Sequence, residues 1–157
     1  MRFLETGKTR SDAKRIGWIM IDDDDYATLS RYNWQLGADG HARTHGAIRL
    51  MSRIIMNAPK HLEVDHIDRN PLNNQRSNLR LCTSSQNKCN RGPRKDNKSG
   101  YKGVSWHSQR NKWTARIKTP YGKYLHLGLF SDKLDAVNAY NEAAQKHHGE
   151  FAFINKS

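Results

Sequence analysis

Ten consecutive residues, Arg91-Gly92-Pro93-Arg94-Lys95-Asp96-Asn97-Lys98-Ser99-Gly100, offer no apolar side chain to bury. Gly and Pro in such a run turn the chain rather than extend a helix or strand. A single core cannot be built through it, so the residues on either side must each close around their own apolar cluster. The hydrophobic fraction of 36% over 157 residues is low for one large core and suits two small ones. We therefore divide the chain into a first domain over 1–90, a basic linker over 91–100 and a second domain over 101–155. Arg94, Lys95 and Lys98 in the linker suit a path along phosphate, with ordering on binding.

Charge narrows the partner. Lys and Arg number 27 against 15 Asp and Glu, a formal net charge of +12, of which residues 1–90 carry +4 and residues 91–157 carry +8. A polyanion is the expected partner, and nucleic acid is the commonest. No run approaches the ~18 apolar residues of a membrane span, and the opening MRFLETGKTR lacks the apolar centre of a secretory signal. The expectation is a soluble intracellular (cytoplasmic) protein with no membrane partner. Cys82 and Cys89 are the only cysteines, too few for a disulfide scaffold and without a C-x-x-C zinc half-site, so reduced thiols are expected.

In the first domain, Ile16–Ile21 reads as a strand, and Asp22-Asp23-Asp24-Asp25 as the capped start of a short helix through Tyr26, Leu29 and Tyr32. Asp39-Gly40 marks a tight hairpin between Trp34/Leu36 and Ala42. Leu50, Ile54 and Ile55 have helical spacing, and Pro59 ends that element. In the second domain, Trp113, Ala115 and Ile117 alternate with Thr114, Arg116 and Lys118, the period of a half-buried strand. Pro120-Tyr121-Gly122-Lys123 reads as a turn into a strand with Leu125 and Leu127. Three antiparallel strands are then covered by one helix, capped by Ser131, with Leu134, Val137, Tyr140 and Ala144 as its apolar stripe and Gly149 past its end.

Chemistry concentrates in Glu63-Val64-Asp65-His66-Ile67-Asp68, Asn78-Leu79-Arg80 and Thr83-Ser84-Ser85-Gln86-Asn87-Lys88-Cys89-Asn90. Two short strands pairing across the Asn70–Arg76 loop, followed by a helix capped at Thr83, would gather Asp65, His66, Asn78 and Asn87. An imidazole titrating near ~6.5 can take a proton from water at physiological pH if a neighbour fixes its tautomer. Oxygen donors from one carboxylate and one amide suit a hard divalent ion. Asp68 reads as a turn residue. Arg80 has two open readings, a phosphate contact or a stem covering the local core.

The order VDHID, then NNxxxNLR, then a helix bearing Asn resembles the HNH nucleases, particularly intron and phage homing endonucleases, over about residues 62–90. That resemblance implies an α+β fold with an N-terminal ββα-metal (His-Me) finger. It makes His66 the general base, Asn78 the residue that orients it, and Asp65 with Asn87 the holders of one divalent ion per site, Mg²⁺ or Mn²⁺. Ser52 stands where many members have His before Arg, and the following Arg53 is a candidate DNA contact.

Residues 101–155 resemble the plant ethylene-response-factor (Apetala-type) DNA-binding domain. The shared landmarks are Tyr101-Lys-Gly-Val104, Lys112-Trp113-x-Ala115-x-Ile117, Leu127-Gly128-x-Phe130, Ala136-x-x-Ala139-Tyr140-Asn141-x-Ala143-Ala144, Gly149 and Asn155. In that family the sheet enters the major groove, which puts Ser105, His107, Thr114, Arg116, Lys118, Tyr124 and His126 on the groove side here. Trp113 falls in phase with the core. The plant pattern is richer in Arg and has Trp where this chain has His126, so base preference does not carry over.

Together these readings describe a metal-dependent endonuclease on double-stranded DNA, a nicking or homing enzyme of phage type, acting as a monomer or weak homodimer. The expected DNA contacts are Arg53, Arg80, Arg94, Lys95, Lys98, His107, Arg116, Lys118 and His126. The alternatives are an inactive DNA-binding regulator, which would bind without cutting, and a structure-specific nuclease or ribonuclease, which would prefer branched DNA or RNA.

Overall fold

A computed structural model describes residues 1–5, 18–44 and 49–156. The fold is α+β, with small antiparallel sheets, and its contacts divide it into two units, Met1–Ser84 and Ser85–Ser157.

The first unit opens with β1 (Arg2–Glu5) paired antiparallel to β2 (Trp18–Ile21). Residues 16 and 17, expected to begin the second strand, lie outside the described residues. Alternation sends Ile19 and Ile21 fully inward while Trp18 faces out. The acidic run starts α1 (Asp23–Leu29), but the Asp22 side chain makes no capping bond to its own helix. It accepts instead from Gln75 Nε2 at 3.2 Å and the Arg76 N–H at 2.8 Å. Asp25, buried in α1, takes the Arg76 guanidinium at 2.7 Å. The run that suits the helix dipole therefore also grips a loop some 50 residues downstream.

The hairpin expected at Asp39-Gly40 joins β3 (Trp34–Leu36) to β4 (Ala42–Thr44). Gly40 has φ +81°, and a Cβ there would press on Pro71 at 3.3 Å, so the turn both needs glycine's backbone freedom and sits against the 70–74 loop. Next comes α2 (Met51–Ile55), ending before Asn57 at φ +43° and Pro59. The core of this unit is Ile19, Ile21, Leu29, Trp34, Ala42, Met51, Ile55 and Leu79. Leu79 is the core's link to the last pair of strands, β5 (Glu63–His66) and β6 (Leu79–Cys82), which run antiparallel with Asp65 opposite Arg80 and His66 opposite Leu79.

The second unit begins with α3 (Ser84–Asn90), whose first residue is the last of the first unit. Lys102 Nζ donates to the carbonyls of Lys88, Cys89 and Arg91 at 3.3, 2.6 and 2.7 Å, placing a cation where the helix leaves its last carbonyls unpaired. The segment expected as a linker is partly folded in. Asn97 donates to the Tyr101 carbonyl, and buried Ser99 donates to the Val104 carbonyl at 2.7 Å. Small polar side chains supply the turn bonds that an apolar-free segment otherwise lacks.

Three antiparallel strands follow, β7 (Val104–His107), β8 (Lys112–Lys118) and β9 (Tyr124–Phe130), in that spatial order. A register shift between Ala115 and Arg116 sets Ala115 opposite Gly128 and Arg116 opposite His126. The long helix α4 (Lys133–His148) covers one face. Its N-cap is Asp132, which accepts from the Leu134 N–H at 2.6 Å, and not Ser131. Leu134 faces outward at the edge of the apolar face, and the buried stripe is Ala136, Val137, Tyr140, Ala143, Ala144 and His148. Val104, Ala115 and Ile117 complete this core. Gly103, at φ +76°, lies so close to the Tyr140 ring and the Arg116 carbonyl that no side chain fits.

Candidate active site

The last two residues of β5, Asp65 and His66, are both buried, at 5% exposure each. Their partners come from the neighbouring strand and from the loop between the strands. Arg80, directly across the sheet, donates its Nε and one terminal nitrogen to the same Asp65 oxygen, at 2.9 and 2.7 Å. The pair is a consequence of register: an aspartate and an arginine facing each other on the inward side of two strands satisfy one another's charge.

His66 Nε2 lies 3.3 Å from Asn74 Oδ1. Asn74 donates its own amide N–H to the Pro71 carbonyl at 3.1 Å, which fixes the amide with its oxygen toward the imidazole. An amide oxygen only accepts, so Nε2 carries the proton and the lone pair sits on Nδ1. Burial pushes the His66 pKa below its ordinary value, and His41 nearby acts in the same sense, against opposing contributions from the Asn74 bond and from Asp68 and Asp65. The ring is thus neutral at physiological pH, the state a base requires.

Asn74 is one of the most deeply buried polar residues, at 1% exposure. Its backbone N–H donates to the Met20 carbonyl at 2.8 Å, the Met20 N–H donates to the Leu72 carbonyl at 2.9 Å, and Met20 bridges Asn73. The loop that carries it is therefore pinned to β2, and Asp22 and Asp25 hold its far end through Gln75 and Arg76.

Asn78, expected to orient the imidazole, does something else. Its side chain accepts from the Asp68 N–H at 3.0 Å and donates to the Asp68 carboxylate at 2.9 Å and the Asn73 carbonyl at 2.8 Å. Those bonds commit the amide to the loop, and the contact with the His66 ring is made by Asn74. Asp68 is the loop's centre: burial opposes its charge, but bonds from the Asn70 N–H and the Asn73 and Asn78 amides hold its pKa below the usual carboxylate value.

Two expected DNA contacts are likewise engaged within the fold. Arg80 is paired with Asp65 and its side chain is only 13% exposed. The guanidinium of Arg53 donates to the carbonyls of Leu62, Ala58 and Pro59 at 2.6, 3.0 and 2.8 Å, closing the chain after α2. The sequence reading also missed His41, beside the hairpin turn, whose ring centroid is 5.3 Å from that of His66. Both cysteines are free thiols; burial raises Cys82 to about 11 and Cys89 in the same direction.

In the second unit, Asn87 is half-buried on α3. Arg116 and Lys118 are exposed on β8, and Lys118 lies over the Tyr124 ring at 5.5 Å. A concavity of about 630 Å³ on the sheet is lined by Ser105, Trp106, His107, Thr114, Arg116 and His126. Trp106 is half-exposed there, with its ring edge-on to Trp113. Trp113 itself is half-buried and meets the Lys133 ammonium, as its expected phase implies. Lys95 and Lys98 are exposed, and exposed Arg94 pairs loosely with Asp96 at 3.5 Å.

A buried imidazole and a buried carboxylate side by side on one strand are groups that general acid–base chemistry can use. Residues 57–89 match the pattern of the HNH endonuclease family. The chain is 39% identical over 94 residues to "Protein 3.8" of Escherichia phage T7, covering 60% of this chain and 76% of that protein. It is 34% identical over 146 residues to "Uncharacterized HNH endonuclease L560" of Acanthamoeba polyphaga mimivirus, covering 88% of this chain and 75% of that one. The chain belongs to the HNH endonuclease family and is a nuclease, a phosphodiester hydrolase. A shorter likeness, 45% identity over 58 residues, links 36% of the chain to 9% of the rice (Oryza sativa subsp. japonica) AP2-like ethylene-responsive transcription factor CRL5. No helix among the described residues is long and apolar enough to cross a membrane.

Proposed function

We propose that this protein is a metal-dependent endonuclease that nicks double-stranded DNA, with His66 as general base. The observation that carries the reading is the held imidazole: Nε2–H is spent on Asn74, and burial keeps the ring neutral, so Nδ1 can take a proton from water. The activated water oxygen bonds to phosphorus, the bond from phosphorus to the 3′ oxygen breaks, and the departing oxygen takes a proton from solvent, leaving 5′-phosphate and 3′-hydroxyl ends. The protonated ring keeps its place because the Asn74 bond uses the nitrogen not involved in the transfer.

The donor chemistry of the site fits one hard divalent ion, Mg²⁺ or Mn²⁺. By the family resemblance, Asp65 would contribute its buried carboxylate, which Arg80 holds at Oδ2, and Asn87 an amide oxygen. When bound, the ion supplies positive charge to the scissile phosphate and the departing oxygen. Arg80 is then a positioning residue for Asp65 rather than a DNA contact, and Asn78 is a positioning residue for the loop.

The second unit is the DNA reader. Its sheet presents His107, Arg116, Lys118 and His126 on the face opposite α4, and Lys95, Lys98 and Arg94 lie exposed ahead of it. The likeness of this part to the AP2-like factors supports groove binding by the sheet. One set of catalytic residues per chain implies one strand cut per engagement, so a double-strand break would take two chains or two visits. Incubation with supercoiled plasmid and Mg²⁺ tests the proposal, with nicked circles expected first. His66→Ala should lower the rate by about 10²–10⁴-fold with DNA affinity retained, and cleavage by that variant at the wild-type rate would refute the role of His66.

A further inference from the structure

We propose that His41 is a positioning residue for the cleavage reaction, packing against the His66 ring as a second restraint beside the Asn74 hydrogen bond. The inference rests on the reading of His66 as general base. His41 follows the β3–β4 turn, whose Gly40 sits against Pro71, the residue whose carbonyl orients the Asn74 amide. The same packing brings the two imidazoles to 5.3 Å between centroids with their planes at 53°, a tilted ring contact.

The hairpin has no need of an imidazole here for its own stability. Its buried side chains are Trp34, Ala42 and Thr44, whereas His41 is half-buried. The backbone of His41 serves the turn, its N–H donating to Asp39 and its carbonyl accepting from Gly37, but its ring nitrogens make no hydrogen bond among the described residues. What the ring touches is the base. His66 is thereby held at Nε2 by Asn74 and by the tilted ring contact with His41, which restricts the rotation that would carry Nδ1 away from the attacking water.

The test uses the full chain, supercoiled plasmid, Mg²⁺ and enzyme in excess, with His41→Ala, His41→Phe and His66→Ala in parallel. His41→Ala should cut about tenfold more slowly with a DNA Kd within about twofold of wild type, and His41→Phe, which keeps a ring, should recover to within about threefold. Imidazole ¹⁵N spectra should show the Nε2–H tautomer of His66, which Asn74 sets, in all three folded proteins with His66, with signals sharp in the wild type and in His41→Phe and broadened by ring motion in His41→Ala. Those spectra separate ring control from mere loss of stability. Wild-type rate in His41→Ala, or His41→Phe as slow as His41→Ala, would overturn the proposal. Should His41→Ala not fold, the rate of His41→Phe and a wild-type NOE between the two rings decide, and absence of the NOE overturns it. Active His66→Ala sinks the general-base reading and this inference with it; inactive His66→Ala with fully active His41→Ala sinks this inference alone.

Discussion

Replacing Asn74 by Ala isolates how much of the cleavage rate depends on holding the imidazole. The Nε2···Oδ1 separation of 3.3 Å is just beyond the usual range for an N–H···O bond, so its net worth is about 1 kcal/mol at most. Lost as orientation, that corresponds to roughly a fivefold fall in the fraction of rings in the competent tautomer and pose. Rotational freedom gained by the ring adds to this, so a rate about 5–30 times below wild type is expected, well short of the loss in His66→Ala. Stability should fall by about 2 kcal/mol, because a fully buried amide and its bond to the Pro71 carbonyl are removed as well. The assay is single-turnover nicking with urea unfolding on the same samples. Asn78→Ala is the control: it deletes three bonds around Asp68 and Asn73, so it should cost about 3 kcal/mol while the rate per folded molecule changes less. Wild-type nicking by Asn74→Ala, or greater rate loss in Asn78→Ala at equal stability, would refute the assignment.

Three further outcomes are expected. Arg116→Ala should weaken DNA binding and lower the slope of log K against log salt by about 0.9, as measured by fluorescence titration, if the side chain meets one phosphate. Burial lowers the pKa of His148, against a bond to the Lys118 carbonyl that favours the charged ring. The unfolded chain therefore takes up a proton that the folded one resists. This contribution to stability is complete above about pH 6.5 and is lost as the pH falls below it, which thermal unfolding between about pH 7.5 and about pH 5 should show and His148→Gln should flatten. Gly103→Ala should destabilise by about 2 kcal/mol or more in urea unfolding, since its positive φ and the Tyr140 ring both oppose a side chain.

Period and turn chemistry made much of the fold legible. The alternation through Trp113–Lys118, the Asp39-Gly40 turn and the helix over Lys133–His148 follow from local rules that tertiary packing did not override. The sequence also placed Asp65 and His66 together on a strand, where the structure has them. What it could not supply was the choice among equivalent groups. The loop offers Asn70, Asn73, Asn74 and Asn78, all amides, and only the pinning of Leu72 and Asn74 to Met20 decides which one meets the ring. The pairing of Arg80 with Asp65 depends on strand register, which sets the two opposite one another. Ser131 and Asp132 are both good caps, and the choice of Asp132 is made by its bond to the Leu134 N–H. His41 was invisible because its neighbour is 25 residues away along the chain and has no periodic relation to it.

The grip of Asp22 and Asp25 on Gln75 and Arg76, together with the Met20 carbonyl on Asn74, means that the residues matching the family pattern are not a portable cassette. Grafting 57–89 alone into a host protein would transfer the aspartate and histidine but leave behind the scaffold that aims them. A functional transplant has to carry the strand and acidic helix of 18–29 along with it.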